Sequence, residues 1–294
     1  MPDFSVNVPY RKPLSWQGVL GFFRYRATPG VEAVINESYC RTIATRNDVG
    51  WMAASPAADG ASLDVRVSGI RRGDLPEVQR RVSVIFDVDA PIDRIRRKLS
   101  ADAALKSRLN TLPGVRVMGA WSGFELTIRA ILGQQISVAA ATTLAGRIAN
   151  RYGEVLSPSN PFNELNRLFP APARLARARF NNMGLIGSRI ATIKSVSRAV
   201  EDGELSFAPE QDVAEFCKRF TAIKGIGDWT AQYVAMRVLR DPDAFPSSDL
   251  GLLKAVDPDT RLTPKELSAR AEGWRPWRAY AASLLWYGAP GSGG

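Results

Sequence analysis

Residues 220–239 read FTAIKGIGDWTAQYVAMRVL, a helical pattern that Gly225 and Gly227 interrupt for a single turn. The preceding stretch, QDVAEFCKRFTA at 211–222, has the apolar spacing of an amphipathic helix, and WTAQYVAMRVL resumes that spacing after the glycines. Asp228 stands where it is expected to cap the second helix. Because glycine readily adopts positive φ angles, the segment predicts two helices joined by a tight hairpin.

A hairpin of this kind exposes backbone N–H groups ahead of a helix N-terminus, and such groups bind anions. A phosphate of a DNA backbone fits this kind of site without any base being read. On spacing alone, an ordinary helix–turn–helix connection with glycine caps explains the segment equally well. The choice between the two interpretations therefore depends on other parts of the chain.

The charge of the chain favours a polyanionic partner. Its 294 residues include 39 basic and 29 acidic side chains, which gives a formal net charge of +10 and a pI near 9.9. An excess of this size is typical of nucleic-acid-binding proteins, although many basic proteins bind neither nucleic acid nor membranes. The apolar fraction of 45% predicts a globular protein with two or three packed units.

The residue types that are missing exclude several kinds of chemistry. The chain has no histidine and only two cysteines, Cys40 and Cys217. These counts exclude histidine-based catalytic pairs and triads, histidine-ligated metals, and four-cysteine zinc or iron–sulfur sites within the chain. We expect reduced cysteines, no signal peptide, no membrane-spanning segment, and a cytoplasmic protein that requires no cofactor.

The pattern of hydrophobic residues divides the chain into two parts. Alternation over 63–68 and β-rich runs at 39–43 and 82–88 predict strands. Beyond them helical periodicity dominates, and FELTIRAILGQQISVAAATTLAGRIANRYG at 124–153 predicts a buried central helix. We therefore predict an α+β fold in which an N-terminal α+β domain with an antiparallel sheet, residues 1–96, precedes an all-helical body.

Four stretches, in this order along the chain, resemble the helix-hairpin-helix DNA glycosylase superfamily. LPGVRVMGAWSGFELTIRAILGQQISVAAA at 112–141 is similar to the helix that opens the catalytic core of that family. The hairpin at 220–239 resembles its phosphate-gripping element, and AFPSSDLGLLKAV at 244–256 follows with an aspartate at position 249. RAEGWRPWRAYAASLLWYG at 270–288 resembles the closing helix of the 3-methyladenine DNA glycosylase II type, which also begins with an α+β domain.

The resemblance covers nearly the whole chain and implies a two-part helical core. One part comprises residues 97–122 and 242–294, and the other comprises 123–241 with the helix-hairpin-helix element at 211–239. The implied activity is excision of alkylated purines from double-stranded DNA by base flipping, which leaves an abasic site. Asp249 is then the carboxylate that stabilises the positive charge developing on the sugar. From its position alone, without the resemblance, a helix N-cap is the better explanation of Asp249.

The resemblance also implies how the hairpin meets DNA. Gly225, Gly227 and Lys224 are expected to contact the DNA backbone, and a structural monovalent cation can bind between carbonyl groups and a phosphate. Those carbonyl groups belong to Thr221, Ile223 and Ile226. A second glycine turn at Gly184 and Gly187 resembles the segment before the hairpin and is expected to be structural, with Arg189 and Lys194 as candidate phosphate contacts.

An aromatic pocket for the flipped base follows from the same resemblance. The residues that match the pattern of the branch are Phe22, Trp229, Tyr233 and Trp286. A purine such as 3-methyladenine carries a positive charge, which aromatic faces attract, and stacking replaces the neighbours that the base loses. For each aromatic residue taken singly, a place in the hydrophobic core remains the usual alternative.

Three positions depart from the best-known members of the superfamily. Some relatives cleave the strand with a lysine two residues after the second hairpin glycine; here that position holds Trp229, so we expect a monofunctional enzyme. Gln135 occupies the position of a leucine that fills the gap left by the flipped base. Leu250 replaces a tyrosine after the catalytic aspartate, which leaves the base preference open.

Two other classes of protein remain as alternatives. A non-catalytic helix-hairpin-helix DNA-binding protein would use the hairpin but would have no need for Asp249 or an aromatic pocket. A small-molecule hydrolase with paired carboxylates gives no reason for a net charge of +10. We therefore expect a monomer whose partner is double-stranded DNA containing damaged bases.

Overall fold

The architecture comes from a computed structural model, which describes residues 3–156, 160–208, 211–256 and 262–287. An antiparallel five-stranded sheet lies near the N-terminus, in the order β1-β5-β4-β3-β2. The strands are β1 (Phe4–Pro9), β2 (Glu32–Ile35), β3 (Ser38–Ala44), β4 (Val49–Pro56) and β5 (Ser62–Ser68). Together with the helices that follow, this sheet confirms the predicted α+β fold class.

Helices form the rest of the described chain. They are α1 (Trp16–Arg24), α2 (Leu75–Phe86), α3 (Ile92–Leu99), α4 (Ala103–Thr111), α5 (Gly123–Gly133), α6 (Val138–Tyr152), α7 (Pro172–Ala176), α8 (Gly187–Glu201), α9 (Val213–Thr221), α10 (Asp228–Arg237), α11 (Leu250–Val256), α12 (Pro264–Ala271) and α13 (Arg278–Trp286). Within the described ranges, no helix combines the length and apolar character needed to cross a membrane.

The strand predicted at 82–88 is wrong, because most of this run forms the C-terminal half of α2. Val82, Ile85 and Phe86 are completely buried against the sheet. Their spacing of three and four residues places them on one helix face, whereas the unbroken apolar run also fits a buried strand. Periodicity alone does not separate these two possibilities in a short run.

The single central helix predicted at 124–153 is also wrong, since the structure divides it into α5 and α6. Gln135 adopts a left-handed backbone conformation with φ of 60°, which ends the regular helical path. The Ser137 side chain then accepts a hydrogen bond from Ala140 N and caps α6. The interruption leaves the Gln135 side chain exposed on a turn.

Buried polar contacts join the N-terminal domain to the helical body. Asp87, just after α2, accepts hydrogen bonds from the Tyr280 hydroxyl at 2.8 Å and from Arg240 Nη2 at 3.0 Å. Arg41 of β3 donates to Glu125 of α5 at 2.8 Å and forms an ion pair with Glu32 of β2 at 3.4 Å. These contacts fix the sheet against the helices that form the site.

Replacing Arg41 by methionine is expected to lower the free energy of unfolding by about 3 kcal/mol, because two buried carboxylates lose their partner. Burial raises the pKa of Glu125. Without the guanidinium the pKa of Glu125 in the folded protein rises further. The free energy of unfolding of the variant therefore falls as pH rises through that pKa, and its deficit relative to wild type is larger at pH 8 than at pH 5. Urea unfolding at both pH values measures the effect, with Arg66→Met on an exposed part of the sheet as control. An equal deficit at both pH values would contradict the ionic explanation.

Candidate functional site

A cleft of about 1040 Å³ opens where the N-terminal domain meets α5, the glycine hairpin and the C-terminal helices. Its walls come from α1, the turn between α5 and α6, the hairpin with α10, and α11 with α13. The predicted site residues that line it are Phe22, Gln135, Gly225, Gly227, Trp229, Tyr233, Asp249 and Trp286. Residues more than 260 positions apart in the sequence thus share one cavity.

Asp249 lies on the cleft wall with its carboxylate held from two sides. The indole N–H of Trp229 donates to Oδ2 at 2.8 Å, and the indole N–H of Trp286 donates to Oδ1 at 3.0 Å. Leu252 N also donates to Oδ1 at 2.9 Å, so Asp249 caps α11 as well. The predicted alternatives of cap and pocket carboxylate are therefore combined in one side chain, whose orientation is fixed.

Gly251 makes this arrangement possible, and the sequence reading missed it. A Cβ atom at this position would lie 3.0 Å from Asp249 Oδ1 and 3.7 Å from Trp286 Nε1. Any larger side chain would therefore crowd the contact between the carboxylate and the indole. The pattern Asp-Leu-Gly at 249–251 carries this signal, but it is meaningful only when α13 is known to pack there.

The aromatic residues predicted for the base pocket form one continuous wall. Trp229 and Tyr233, one turn apart on α10, stack with their ring centroids 5.2 Å apart and their planes 12° from parallel. The Trp286 ring meets Tyr233 edge-on at 5.9 Å. Trp229 and Tyr233 are only partly buried. Their partly open, stacked rings form a surface on which a planar base can stack.

Phe22 of α1 faces this wall from the N-terminal domain, accompanied by two guanidinium groups. Arg26 Cζ lies 4.3 Å from the centroid of the Phe22 ring, and Arg237 Cζ lies 4.9 Å from it. Both arginines also line the cleft. The sequence analysis did not identify either arginine, although Arg237 continues the spacing of four residues that Trp229 and Tyr233 begin.

The hairpin has the predicted helix–turn–helix form, with one difference at its cap. Gly225 adopts a left-handed conformation with φ of 93°, as its sequence position suggested. Gly227 occupies the N-cap position instead of Asp228, which is the first residue of α10. No side chain caps this helix, so the backbone amides of its first turn remain available to an anion. Lys224 is exposed beside them.

Gln134, a further residue that the sequence analysis missed, ties the turn after α5 to the hairpin. Its side-chain Nε2 donates to Gly225 O and to Thr230 Oγ1, both at 3.0 Å. Its backbone carbonyl accepts a hydrogen bond from Arg189 Nη2 at 2.6 Å. The exposed Gln135 side chain is therefore held at a defined place relative to the hairpin.

Two lysines lie near the cleft, but the position two residues after the second hairpin glycine holds Trp229. Lys254 lines the cleft one turn after Asp249, and its side chain is exposed. Lys224 lies within the hairpin.

The two cysteines are unpaired, and burial raises the pKa of Cys40 to about 11. The thiol of Cys40 is therefore an unreactive part of the core at neutral pH.

Metal ligands of the acidic and cysteine type do not cluster in the part of the chain that the structure describes. Among the carbonyl groups predicted to bind a cation, that of Thr221 ends α9, whereas those of Ile223 and Ile226 lie beyond the helix. Ile223 O accepts a hydrogen bond from Ile226 N at 3.0 Å and keeps a second lone pair.

Comparison with known proteins places the chain among DNA repair enzymes. A family model described as the AlkA N-terminal domain matches residues 5–122. The protein named DNA-3-methyladenine glycosylase 2 from Escherichia coli is 32% identical over 97% of this chain and 96% of its own length. The probable bifunctional transcriptional activator/DNA repair enzyme AlkA from Mycobacterium tuberculosis is 33% identical over 96% of this chain. This chain spans 56% of the length of that mycobacterial relative.

A solved structure has the same fold over almost the entire chain. The 3-methyladenine DNA glycosylase from Archaeoglobus fulgidus superimposes with a TM-score of 0.83. The match covers 95% of this chain and 96% of the other, at 22% sequence identity. At that identity the likeness concerns the fold, including the order of the N-terminal sheet and the helical body.

Proposed function

The chain belongs to the DNA-3-methyladenine glycosylase 2 family of base excision repair, and we propose that it is a monofunctional DNA glycosylase acting on alkylated purines in double-stranded DNA. One observation carries this proposal: the carboxylate of Asp249, held by Trp229 and Trp286, lies in an aromatic cleft beside a glycine hairpin whose second helix has no side-chain cap. A non-catalytic DNA-binding protein would give this carboxylate and cleft no role.

The chemistry follows from what the cleft offers a flipped nucleotide. The base stacks along the Trp229 and Tyr233 rings, and its sugar lies beside Asp249. As the bond between C1′ and the base nitrogen breaks, its electron pair leaves with the base and positive charge develops on the sugar. The Asp249 carboxylate stabilises that charge. A water molecule then attacks C1′ and gives a proton to the carboxylate. The product is an abasic site in an intact strand.

A duplex oligonucleotide with a single alkylated purine tests this proposal directly. We expect the base to be released while the strand stays intact until alkali is added, because Trp229 cannot form a Schiff base. Borohydride added during the reaction should trap no covalent protein–DNA complex. Direct strand cleavage that disappears in Lys254→Ala would contradict a monofunctional enzyme, since Lys254 is the lysine that lines the cleft.

Gln135 is expected to fill the space that the flipped base leaves in the duplex. In Gln135→Ala we expect base release to slow about tenfold, because the extrahelical state loses its support. The affinity for undamaged duplex should change much less. Single-turnover kinetics and a fluorescent base analogue next to the lesion measure the two effects, with Gln79→Ala on α2 as an exposed-glutamine control. Unchanged excision by Gln135→Ala would refute the assignment.

The remaining features of the proposal concern partners and setting. The net charge of +10 and the uncapped start of α10 support binding of double-stranded DNA. We further propose that the protein acts as a monomer in the cytoplasm on DNA that contains damaged bases. No cofactor is required for the hydrolysis. A structural monovalent cation at the carbonyl groups of Thr221, Ile223 and Ile226 would bridge the hairpin and a phosphate, so duplex affinity should be higher in potassium than in a bulky organic cation at equal ionic strength.

A further inference from the structure

Three residues on one face of α10 run from the catalytic end of the cleft into its interior. Trp229, Tyr233 and Arg237 are spaced by four residues, so they lie above one another over about 12 Å of helix. Trp229 contacts Asp249 at one end. Arg237, at the other end, is only 6% exposed but still lines the cleft. A base stacked on the first two residues therefore presents its far edge towards a guanidinium group.

The position of this guanidinium is fixed by the surrounding backbone. Arg237 Nε donates to Met118 O at 2.6 Å, Nη2 donates to Gly119 O at 3.0 Å, and Nη1 donates to the Tyr233 hydroxyl oxygen. Among the described residues, these acceptors engage three of its five N–H groups. One N–H on each terminal nitrogen has no acceptor among these contacts.

The charge at this end of the cleft is positive. Arg237 Cζ lies 5.2 Å from the centroid of Tyr233 and 4.9 Å from that of Phe22, so a protein cation already contacts rings that would attract a cationic base. Arg26 adds a second guanidinium at the Phe22 ring. The carboxylates that line the same region, Glu32 and Glu125, are both paired with Arg41.

On the basis of the glycosylase function proposed above, we propose that Arg237 is a specificity-determining residue that disfavours a cationic base and holds the acceptor-bearing far edge of a neutral purine. A cationic base stacked on Tyr233 would lie beside the Arg237 guanidinium group, and like charges repel each other in a partly desolvated site. A carbonyl oxygen on the far edge of a neutral 6-oxopurine can accept a charge-assisted hydrogen bond from the free N–H groups. Both effects change the relative rates of release, while Asp249 stabilises the charge that develops on the sugar for either class of base.

Single-turnover release of 3-methyladenine, which is cationic in the nucleoside and has no carbonyl group, and of hypoxanthine, a neutral 6-oxopurine, from otherwise identical duplexes tests this proposal. In Arg237→Met we expect the ratio of 3-methyladenine to hypoxanthine rates to increase roughly ten- to a hundredfold, because the repulsion and the hydrogen bond are both removed. Arg237→Lys keeps the positive charge and loses the planar fork. It should slow hypoxanthine release at least about fivefold and slow 3-methyladenine release much less.

A matched control separates this role from a structural one. Arg116 is another almost completely buried arginine whose guanidinium donates to backbone carbonyls, those of Arg11 and Pro13, and it does not line the cleft. Arg116→Met should leave the ratio of the two rates unchanged even where stability falls. An equal loss of both rates in Arg237→Met, with the ratio unaltered, would overturn the proposal, as would an equal shift of the ratio in Arg116→Met.

The two lesions also separate this inference from the function on which it rests. A wild-type protein that releases neither base contradicts the glycosylase function itself. A wild type that releases 3-methyladenine but no hypoxanthine overturns the role of Arg237 and leaves the function standing. If Arg237→Met does not fold, Arg237→Lys decides the question. A decrease in rate that is largely confined to hypoxanthine supports the proposal. Changes from the wild-type rate by the same factor for both bases contradict it.

Discussion

Asp249→Asn is expected to lower the single-turnover rate of base release by about a thousandfold, because a neutral amide cannot stabilise the charge that develops on the sugar. The geometry sharpens this expectation. Both carboxylate oxygens accept an indole N–H, from Trp229 and Trp286. An asparagine presents one oxygen and one NH2 group, so one indole faces a donor instead of an acceptor. The variant therefore loses charge and orientation together.

Binding measurements show whether this loss concerns catalysis. The hairpin amides lie at the start of α10, and Asp249 makes no hydrogen bond to them, so Asp249→Asn should bind damaged duplex about as tightly as wild type. Asp228→Asn removes a carboxylate of the same type from the exposed first turn of α10 and serves as the control. It should keep nearly the full rate. A rate within tenfold of wild type for Asp249→Asn would show that another group carries the reaction.

Gly225→Ala is expected to destabilise the fold by about 3 kcal/mol, because the new side chain meets both backbone strain and a clash. The φ angle of 93° is unfavourable for alanine, and the added Cβ would lie 2.0 Å from Thr192 Oγ1. Thr192 belongs to α8, and its Oγ1 also lies 3.1 Å from Lys224 O. The hairpin must therefore move away from α8, and duplex affinity should fall with it.

The second hairpin glycine provides a matched comparison. At Gly227 the φ angle is −100°, and no atom lies within 4 Å of an added Cβ. The free energy of unfolding of Gly227→Ala, measured in urea, should therefore lie within about 0.5 kcal/mol of the wild-type value. Adding Thr192→Ala to Gly225→Ala should recover part of the lost stability, because the nearest clashing atom is gone. Equal stabilities for Gly225→Ala and Gly227→Ala would disprove the steric explanation.

Much of the fold was predictable from local patterns, and the two errors share a physical cause. Alternation identified β5, and the interrupted periodicity located α9 and α10 with the hairpin between them. The run at 82–88 was assigned to a strand because an unbroken apolar segment fits either a buried strand or a buried helix. The break between α5 and α6 was missed because the decisive feature, a left-handed backbone at Gln135, has no side-chain signature.

The site was predictable where it resembles a known pattern and unpredictable where it depends on packing. Asp249, Trp229 and Tyr233 lie in the cleft that the resemblance implied. A role in the site could not be predicted from the sequence for Gln134 and Arg237, because both bind backbone carbonyl groups of distant segments. A glutamine or arginine in a helical pattern usually faces solvent, and nothing in the sequence distinguishes these two from exposed residues.

Composition and spacing were sufficient to predict the α+β class, the glycine hairpin and the absence of histidine chemistry, whereas the choice of Asp249 as the carboxylate came from the family resemblance. Each of these depends on residue type or on neighbours within a few turns of chain. Long-range packing decided the rest. It brought the indole N–H groups of Trp229 and Trp286 to the two carboxylate oxygens of Asp249, and it buried Arg237 at the inner end of the cleft. Contacts between residues dozens of positions apart depend on how whole helices pack, which local periodicity does not encode.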